Sequence, residues 1–181
     1  MIRLRNRRRV SGVIKAGISY GRKLEPNVVV TLDADRQHDP DEIHHLLKRV
    51  LNGEFDLVQG SRFLFDIHLR TVKDVGNCIF SRLVSILLGQ KITDITSGFR
   101  AFNFIALSDL DLKFDQECYP EMTIELSLKG YRIAEEPIKN LPRLHGNSKV
   151  IEHIYTYIFK ALGILAYTFL RNIKTKSTRF L

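Results

Sequence analysis

Cysteine is scarce in this chain: Cys78 and Cys118 are the only two, they lie far apart, and neither belongs to a C-x-x-C pair. That excludes a disulfide framework of the small secreted kind and points to reduced thiols inside the cell. The first residues carry basic side chains but no apolar h-region and no small-residue cleavage site, so no secretory signal is expected. No internal repeat and no low-complexity tract is present, which sets aside solenoids and tails of biased composition. Acids are missing from both ends, where Arg3, Arg5, Arg7, Arg8 and Arg9 and then Arg171, Lys174, Lys176 and Arg179 crowd together. The formal net charge of +8 therefore sits at the ends, and the body between them is close to neutral. A basic body would suit a nucleic-acid groove, whereas basic ends beside apolar segments suit anionic lipid headgroups, with solvated tails as the plainer alternative. No nucleic-acid partner is expected.

What is present is enough for a folded domain: 181 residues, 44% hydrophobic and 27% charged, near the averages of soluble proteins. Residues 10 to 24 set Val10, Val13, Ile14, Ile18 and Leu24 at a helical rhythm that ends before Pro26. Val28-Val29-Val30-Thr31-Leu32 is a mostly β-branched run of the kind buried on both faces of a sheet, and Asp33-Ala34-Asp35 follows at once. Asp39-Pro40-Asp41-Glu42 reads as an N-cap, a proline in the first helical position and a capping-box acid in the third. Ile43, Leu46, Leu47, Val50 and Leu51 continue at helical spacing until Asn52-Gly53. Phe55 to Gln59 predicts a second strand. Strand, helix and strand at this spacing predict an α/β fold with a parallel sheet, in which ligands sit at the carboxyl ends of strands.

Further along, residues 62–74 read as a basic loop holding Arg62, Arg70 and Lys73. A helix from about Val75 to Leu88 is closed by Gly89. Residues 93–100 form a turn entering a short strand, Pro120 to Lys129 a helix ended by Gly130, Tyr131 to Ala134 another strand, and Arg143 to Lys149 a loop. From Ile154 to Leu170 only Lys160 is charged, a stretch short of the roughly 20 apolar residues that span a bilayer. It predicts an amphipathic helix lying in the membrane interface, with Lys160 snorkelling and the tyrosines at headgroup depth. A helix packed on the soluble body is the alternative.

Two carboxylates at i and i+2 on an extended segment share a side and can share one hard divalent cation. With only two protein carboxylates, positions stay open for phosphate oxygens, as at Mg2+ sites without a full protein cage. Acidic turns are also common and merely solvated. Arginines are suited to phosphate by their planar fork of donors, although an isolated one is more often a surface charge. His38, His44 and His45 do not read as a zinc site, since adjacent helical positions diverge by about 100° and no cysteine is near. Asp94 is either a carboxylate backing the site or the cap of its own turn.

The run Asp33-Ala34-Asp35-Arg36-Gln37-His38-Asp39-Pro40-Asp41-Glu42-Ile43 resembles the signature of family-2 glycosyltransferases, especially the dolichol-phosphate mannose synthases and their polyprenyl-phosphate relatives. Further matches follow in order: Gly60-Ser61-Arg62-Phe63, Thr93-Asp94-Ile95-Thr96-Ser97-Gly98-Phe99-Arg100, Gly130-Tyr131-Arg132-Ile133 with Glu136-Pro137-Ile138, and Arg143-Leu144-His145-Gly146-Asn147-Ser148-Lys149. The resemblance covers about residues 6 to 150. It implies an incomplete GT-A-type, Rossmann-like fold with a mostly parallel sheet over residues 1–149, followed by an apolar and basic helical tail over 150–181. It also implies that Asp33, Asp35 and Gln37 hold Mg2+ or Mn2+ against the diphosphate of a nucleotide sugar. Arg62, Arg100 and Arg143, with Ser148 and Lys149, would meet phosphates.

The implied reaction moves a hexose, mannose or glucose, from the nucleotide-diphosphate sugar to a polyprenyl phosphate by an inverting single displacement on the cytoplasmic face of the membrane. A phosphate monoester has its second pKa near ~6, so the acceptor is already ionised at neutral pH and needs no dedicated base. Family members that glycosylate hydroxyls carry a Glu-Asp pair as base. Here that region reads Tyr119-Pro120-Glu121 and then Glu125. The family domain also opens with a Pro-x-x-Asn-Glu strand and a second strand bearing a nucleotide-contacting acid. Neither is found here, and Asn6-Arg7-Arg8 puts arginine where glycine is usual. Those strands flank Val28 to Leu32, so an apolar edge is expected to lie open to another chain. The chain is thus expected to be a fragment, half of a split gene, or the product of a start assigned too late. The alternative to a working transferase is a non-catalytic subunit that binds the membrane and a partner chain.

Overall fold

A computed structural model of the chain describes residues 9–64, 71–114, 118–139, 141 and 162–172. Its elements are α1 (Val10–Leu24), β1 (Val28–Thr31), a 3-10 turn (Pro40–Glu42), α2 (Ile43–Leu51), β2 (Leu57–Ser61), α3 (Val72–Leu88), β3 (Arg100–Asn103), α4 (Phe104–Ser108), α5 (Cys118–Lys129) and β4 (Ile133–Pro137). Residues 162–172, here α6, are helical as well.

The four strands form one open sheet in the order β1-β3-β2-β4. β1 and β2 both pair antiparallel with β3, and β2 pairs parallel with β4. Three strands therefore share a direction, as a Rossmann-like pattern requires, while β3 runs against them. The strand-helix-strand unit does not make β1 and β2 neighbours, because β3 lies between them.

Alternation along the strands builds two layers of core. Leu57, Phe102 and Val29 turn toward α1, α4 and α5, where they meet Ile14, Ile18, Leu107 and Met122. Val58, Ala101, Val28 and Val30 turn the other way, onto Leu46 and Val50 of α2. The period-2 pleat makes this partition obligatory, since a one-residue slip would turn Leu57 and Phe102 out of their layer. A third cluster joins Phe80 and Val84 of α3 to Ile92, Ile95, Ile124 and Leu165, so α3 and α6 pack against α5 from outside.

Local chemistry fixes the element ends. Asp39 accepts the Asp41 N–H and Pro40 opens the turn into α2. Glu42 does not close the expected capping box; its carboxylate accepts the backbone N–H of Lys139 at 3.2 Å and ties this turn to the chain after β4. α3 begins three residues earlier than its apolar pattern predicts, because Thr71 and Asp74 form a reciprocal capping box, and it ends on Gly89 in the left-handed region. β1 is half-buried rather than buried on both faces. Among the described residues it pairs on one side only.

α6 packs on the body through Ile164, Leu165 and Thr168, with Leu162, Tyr167 and Leu170 outward. Arg171 anchors it to α5 by a 2.5 Å ion pair with buried Glu125. No helix among the described residues is long and apolar enough to cross a membrane.

Candidate active site

β1 ends at Thr31, so Asp33 and Asp35 lie beyond the strand, in a turn. Strand alternation therefore does not set their relation; the turn does. Arg36 takes the left-handed conformation, with φ of 64°. The Gln37 N–H donates to Asp35 Oδ1 at 3.1 Å, and the Asp33 N–H donates to His38 Nδ1 at 3.2 Å. His38 is 9% exposed and stacks on Phe99 with centroids 5.1 Å apart. Burial lowers its pKa, outweighing the opposing pull of Asp33 and Asp35. A neutral His38 with Nδ1 unprotonated is the state that can accept this hydrogen bond. One turn at the carboxyl end of β1 thus fixes the Asp33 backbone on a neutral imidazole and the Asp35 carboxylate on the Gln37 N–H.

Asp33 rests on the turn that precedes β3. The Tyr119 hydroxyl donates to Asp33 Oδ1 at 3.3 Å, and the Thr31 hydroxyl donates to the Gly98 carbonyl at 2.9 Å. Gly98 has to be glycine for this approach. A methyl group there would lie 2.7 and 2.9 Å from the two Asp33 oxygens and 2.9 Å from the Tyr119 hydroxyl. Burial first, and then Asp33, push the Tyr119 phenol well above its ordinary pKa, so it stays a neutral donor.

Arg62 follows β2, and its position is set by Asp94. Its Nε donates to Asp94 Oδ2 at 2.6 Å and its second terminal nitrogen to Oδ1 at 2.9 Å; its own backbone N–H also donates to Oδ2. Asn77 of α3 adds a donor to Oδ1 at 2.7 Å. Asp94 is fully buried, while the Arg62 side chain is 17% exposed. Burial alone would push the Asp94 carboxyl up, but hydrogen bonds and charge from Arg62, joined by Asn77, hold it below the usual carboxylate range. Glu135 of β4 steadies the same turn, accepting from the backbone N–H groups of Thr93 and Asp94.

Arg100 is placed differently from a phosphate ligand. It is 0% exposed, and its donors go to the carbonyls of Ser97 and Ile95 and to the Thr123 hydroxyl, at 2.7 to 2.9 Å. Burial draws its pKa down to about 10, which leaves it charged at neutral pH. Its guanidinium lies 5.1 Å from the Tyr119 ring centroid, so it supports the site from behind and presents no fork to a diphosphate. Arg143, Ser148 and Lys149 lie outside the described residues. The structure thus brings together Asp33, Asp35 and the Gln37 backbone, sets Arg62 on Asp94, and withdraws Arg100.

Tyr119, His38 and Gly98 are the residues that sequence reasoning missed. Gly98 and His38 stand inside the matched motifs, where they were visible but had no assigned partner. Tyr119 reaches Asp33 across 86 positions of sequence, with no local pattern to announce it.

The donor set tests what the turn can hold. Two accessible carboxylates are hard oxygen ligands, suited to Mg2+ or Mn2+ with open positions left over. No group of three or more His, Cys, Asp or Glu able to hold a metal occurs among the described residues. The other ligands of such an ion would then come from substrate and water.

A mixed α/β sheet with paired acids at a strand's carboxyl end is the class of domain that binds a ligand in the crevice beyond its strands. The model of Glycosyl transferase family 2 matches residues 1–111, and the chain belongs to that family. Relatives agree. An uncharacterized protein of Methanocaldococcus jannaschii is 32% identical over 74% of this chain and 58% of its own length. The UDP-N-acetylglucosamine–dolichyl-phosphate N-acetylglucosaminyltransferase of Methanococcus voltae is 32% identical over 73% of this chain and 55% of its own. The undecaprenyl-phosphate mannosyltransferase of Micrococcus luteus is 32% identical over 78% and 60%. The chain thus spans between 55% and 60% of the length of these relatives.

Proposed function

We propose that this chain carries the metal-and-diphosphate half of a transferase that moves a hexose from a nucleotide-diphosphate sugar to a polyprenyl phosphate, by an inverting single displacement at the anomeric carbon. The observation that carries the reading is the turn beyond β1, which holds the Asp33 backbone on His38 and the Asp35 carboxylate on the Gln37 N–H, so that both acids stand at the carboxyl end of the strand. The names of the two characterized relatives support a polyprenyl-phosphate acceptor and differ over the sugar.

In this reading Asp33 and Asp35, with Gln37, hold Mg2+ or Mn2+. The bound ion would supply neutralisation of the charge that develops on the departing diphosphate. Arg62, with its plane fixed by Asp94, and Arg143 with Ser148 and Lys149 meet phosphate groups of donor and acceptor. The acceptor phosphate is already ionised at neutral pH, with its second pKa near ~6, so the chain needs no base and acts by positioning. Contact with the cytoplasmic membrane surface is assigned to the basic ends and to residues 150–181. The outward Leu162, Tyr167 and Leu170 of α6 are compatible with it.

A second reading, a non-catalytic subunit, is favoured by one observation. β1 pairs on one side only among the described residues, and beside it a cleft of about 420 Å3 opens between α1 and β1. Such an edge takes a further strand from a partner polypeptide.

One assay separates the two. The chain is incubated with labelled nucleotide hexoses, polyprenyl phosphate and Mg2+ or Mn2+, and lipid-extractable label is counted. The transferase reading expects label that chelation abolishes, and that Asp33→Asn or Asp35→Asn lowers by about 10²-fold or more, the scale of losing one transition-state stabilising group. Full turnover under chelation, or after both acids are changed to alanine, refutes it. Label that appears only with a partner chain present, and that survives the change of both Asp33 and Asp35 in this chain, supports the subunit reading.

A further inference from the structure

We propose that Tyr119 is a positioning residue for the Asp33 carboxylate, with Gly98 as the floor against which both are set. The proposal rests on the reading of Asp33 as a ligand of a divalent cation. Three observations carry it. The Tyr119 hydroxyl donates to Asp33 Oδ1 at 3.3 Å. Both Asp33 oxygens and the hydroxyl lie so close over the Gly98 Cα that a methyl group there would be 2.7 to 2.9 Å from all three. Tyr119 is itself held, since its ring lies on the Arg100 guanidinium at 5.1 Å and its carbonyl accepts the Thr123 hydroxyl at 3.3 Å.

The physical argument is one of orientation. An exposed aspartate at a turn samples several rotamers, and a cation that binds it must select one. A hydrogen bond to one oxygen, with the carboxylate flat against a residue lacking a side chain, makes that selection in advance. The donor here is unusual only in its origin. It comes from α5, while the carboxylate comes from the turn after β1, so the packing of α5 on the sheet sets the site. Arg100 acquires a role by the same route: fully buried, it braces Tyr119 and the residue 95–97 carbonyls instead of meeting a phosphate.

Hydrogen-bond partners of ligating carboxylates tune metal affinity, and their loss commonly weakens binding by about 10- to 100-fold. The test uses the full chain and Mn2+ alone as the probe. Free Mn2+ is read by its paramagnetic resonance signal for wild type, Asp33→Asn, Tyr119→Phe and Gly98→Ala, and a melting temperature is taken for each. Asp33→Asn is expected to remove the binding that wild type shows. Tyr119→Phe, which deletes one oxygen and keeps the ring on Arg100, is expected to weaken binding about tenfold or more at an unchanged melting temperature. Gly98→Ala disturbs the same carboxylate from below and is expected to weaken binding too.

Wild-type affinity or tighter in Tyr119→Phe overturns the positioning role while leaving the Asp33 reading intact. Should Tyr119→Phe fail to fold, Gly98→Ala decides, and unchanged affinity there overturns the proposal. A wild type that takes up no Mn2+, or an Asp33→Asn chain that binds as well as wild type, overturns the site reading and the proposal with it.

Discussion

Replacing Asp94 by asparagine keeps its shape, removes its charge and turns one acceptor oxygen into an N–H donor set against other donors, which makes it a sensitive probe of how Arg62 is held. In the native protein that carboxylate is fully buried and receives five donors: the backbone, Nε and terminal nitrogen of Arg62, the Asn77 amide and, at 3.3 Å, the Thr96 hydroxyl. Removing one member of a buried pair costs about 3–5 kcal/mol, because the surviving charge loses its compensation. The Arg62 side chain retains 17% exposure, enough to recover some hydration, so the lower bound of about 3 kcal/mol applies. For a chain of this size that lowers the melting temperature by roughly 6–12 °C. The assay is urea and thermal unfolding at pH 7 of Asp94→Asn, Arg62→Met and the double variant. The double variant should lose less than the sum, since neither charge is then left alone. The pH dependence has a definite sign. The folded-state pKa of Asp94 lies below the ordinary 3.8, so its contribution is complete above that value and is lost as pH falls toward the folded pKa. The gap between wild type and Asp94→Asn should therefore narrow between pH 5 and the acid limit of folding. A loss under about 1 kcal/mol at pH 7, the range of exposed pairs, would show that Asp94 does not fix Arg62.

Much of this architecture was legible because the local signals agreed with one another. The run Val28 to Thr31, the Asp39-Pro40 start, the helical series from Ile43 to Leu51 and the Gly89 stop each state one element, and each is observed within a few residues. Strand order was not legible, because insertion of β3 between β1 and β2 depends on the packing of Ala101 and Phe102 between two helical layers, which no local pattern encodes. The site divides in the same way. Asp33 and Asp35 announce themselves by chemistry and spacing, and Arg62 by its motif. Arg100 shows the limit, since a guanidinium in a motif looks the same whether it faces solvent or serves three partners inside the body. Tyr119 shows the converse: read in sequence only as part of the segment that stands where a base pair would be, it joins Asp33 once α5 is laid against the turn beyond β1.

Two further perturbations bear on how the site is supported. Burial lowers the pKa of His38, so the stability tied to its neutral form is complete above about 6.5 and is lost as pH falls from there through the folded value. Thermal melts from pH 7.5 to 5 should fall more steeply for wild type than for His38→Gln, and equal slopes would refute the role of Nδ1 as acceptor from Asp33. The other perturbation, Arg171→Met, removes the cation that joins α6 to α5. Arg171 lies 2.5 Å from Glu125 and 3.6 Å from Glu121, both almost fully buried, and Glu121 also accepts the backbone N–H groups of Lys113 and Phe114 just before α5. Without Arg171, Glu125 keeps Lys129 at 2.8 Å and Glu121 its N–H donors, so compensation falls without vanishing and a loss of about 1–3 kcal/mol is expected at pH 7. Burial already raises the Glu121 pKa against the opposing pull of those N–H groups and of Arg171. An acid raised in the folded state binds protons there more readily than in the unfolded chain, so acidification favours folding through it. The loss in Arg171→Met should therefore be smaller at pH 5 than at pH 7, as Glu121 takes a proton and the repulsion ends. A loss that stays constant, or grows, between these two pH values would mean that Arg171 holds α6 by packing on Tyr167 rather than by charge, and that the buried pair on α5 is satisfied without it.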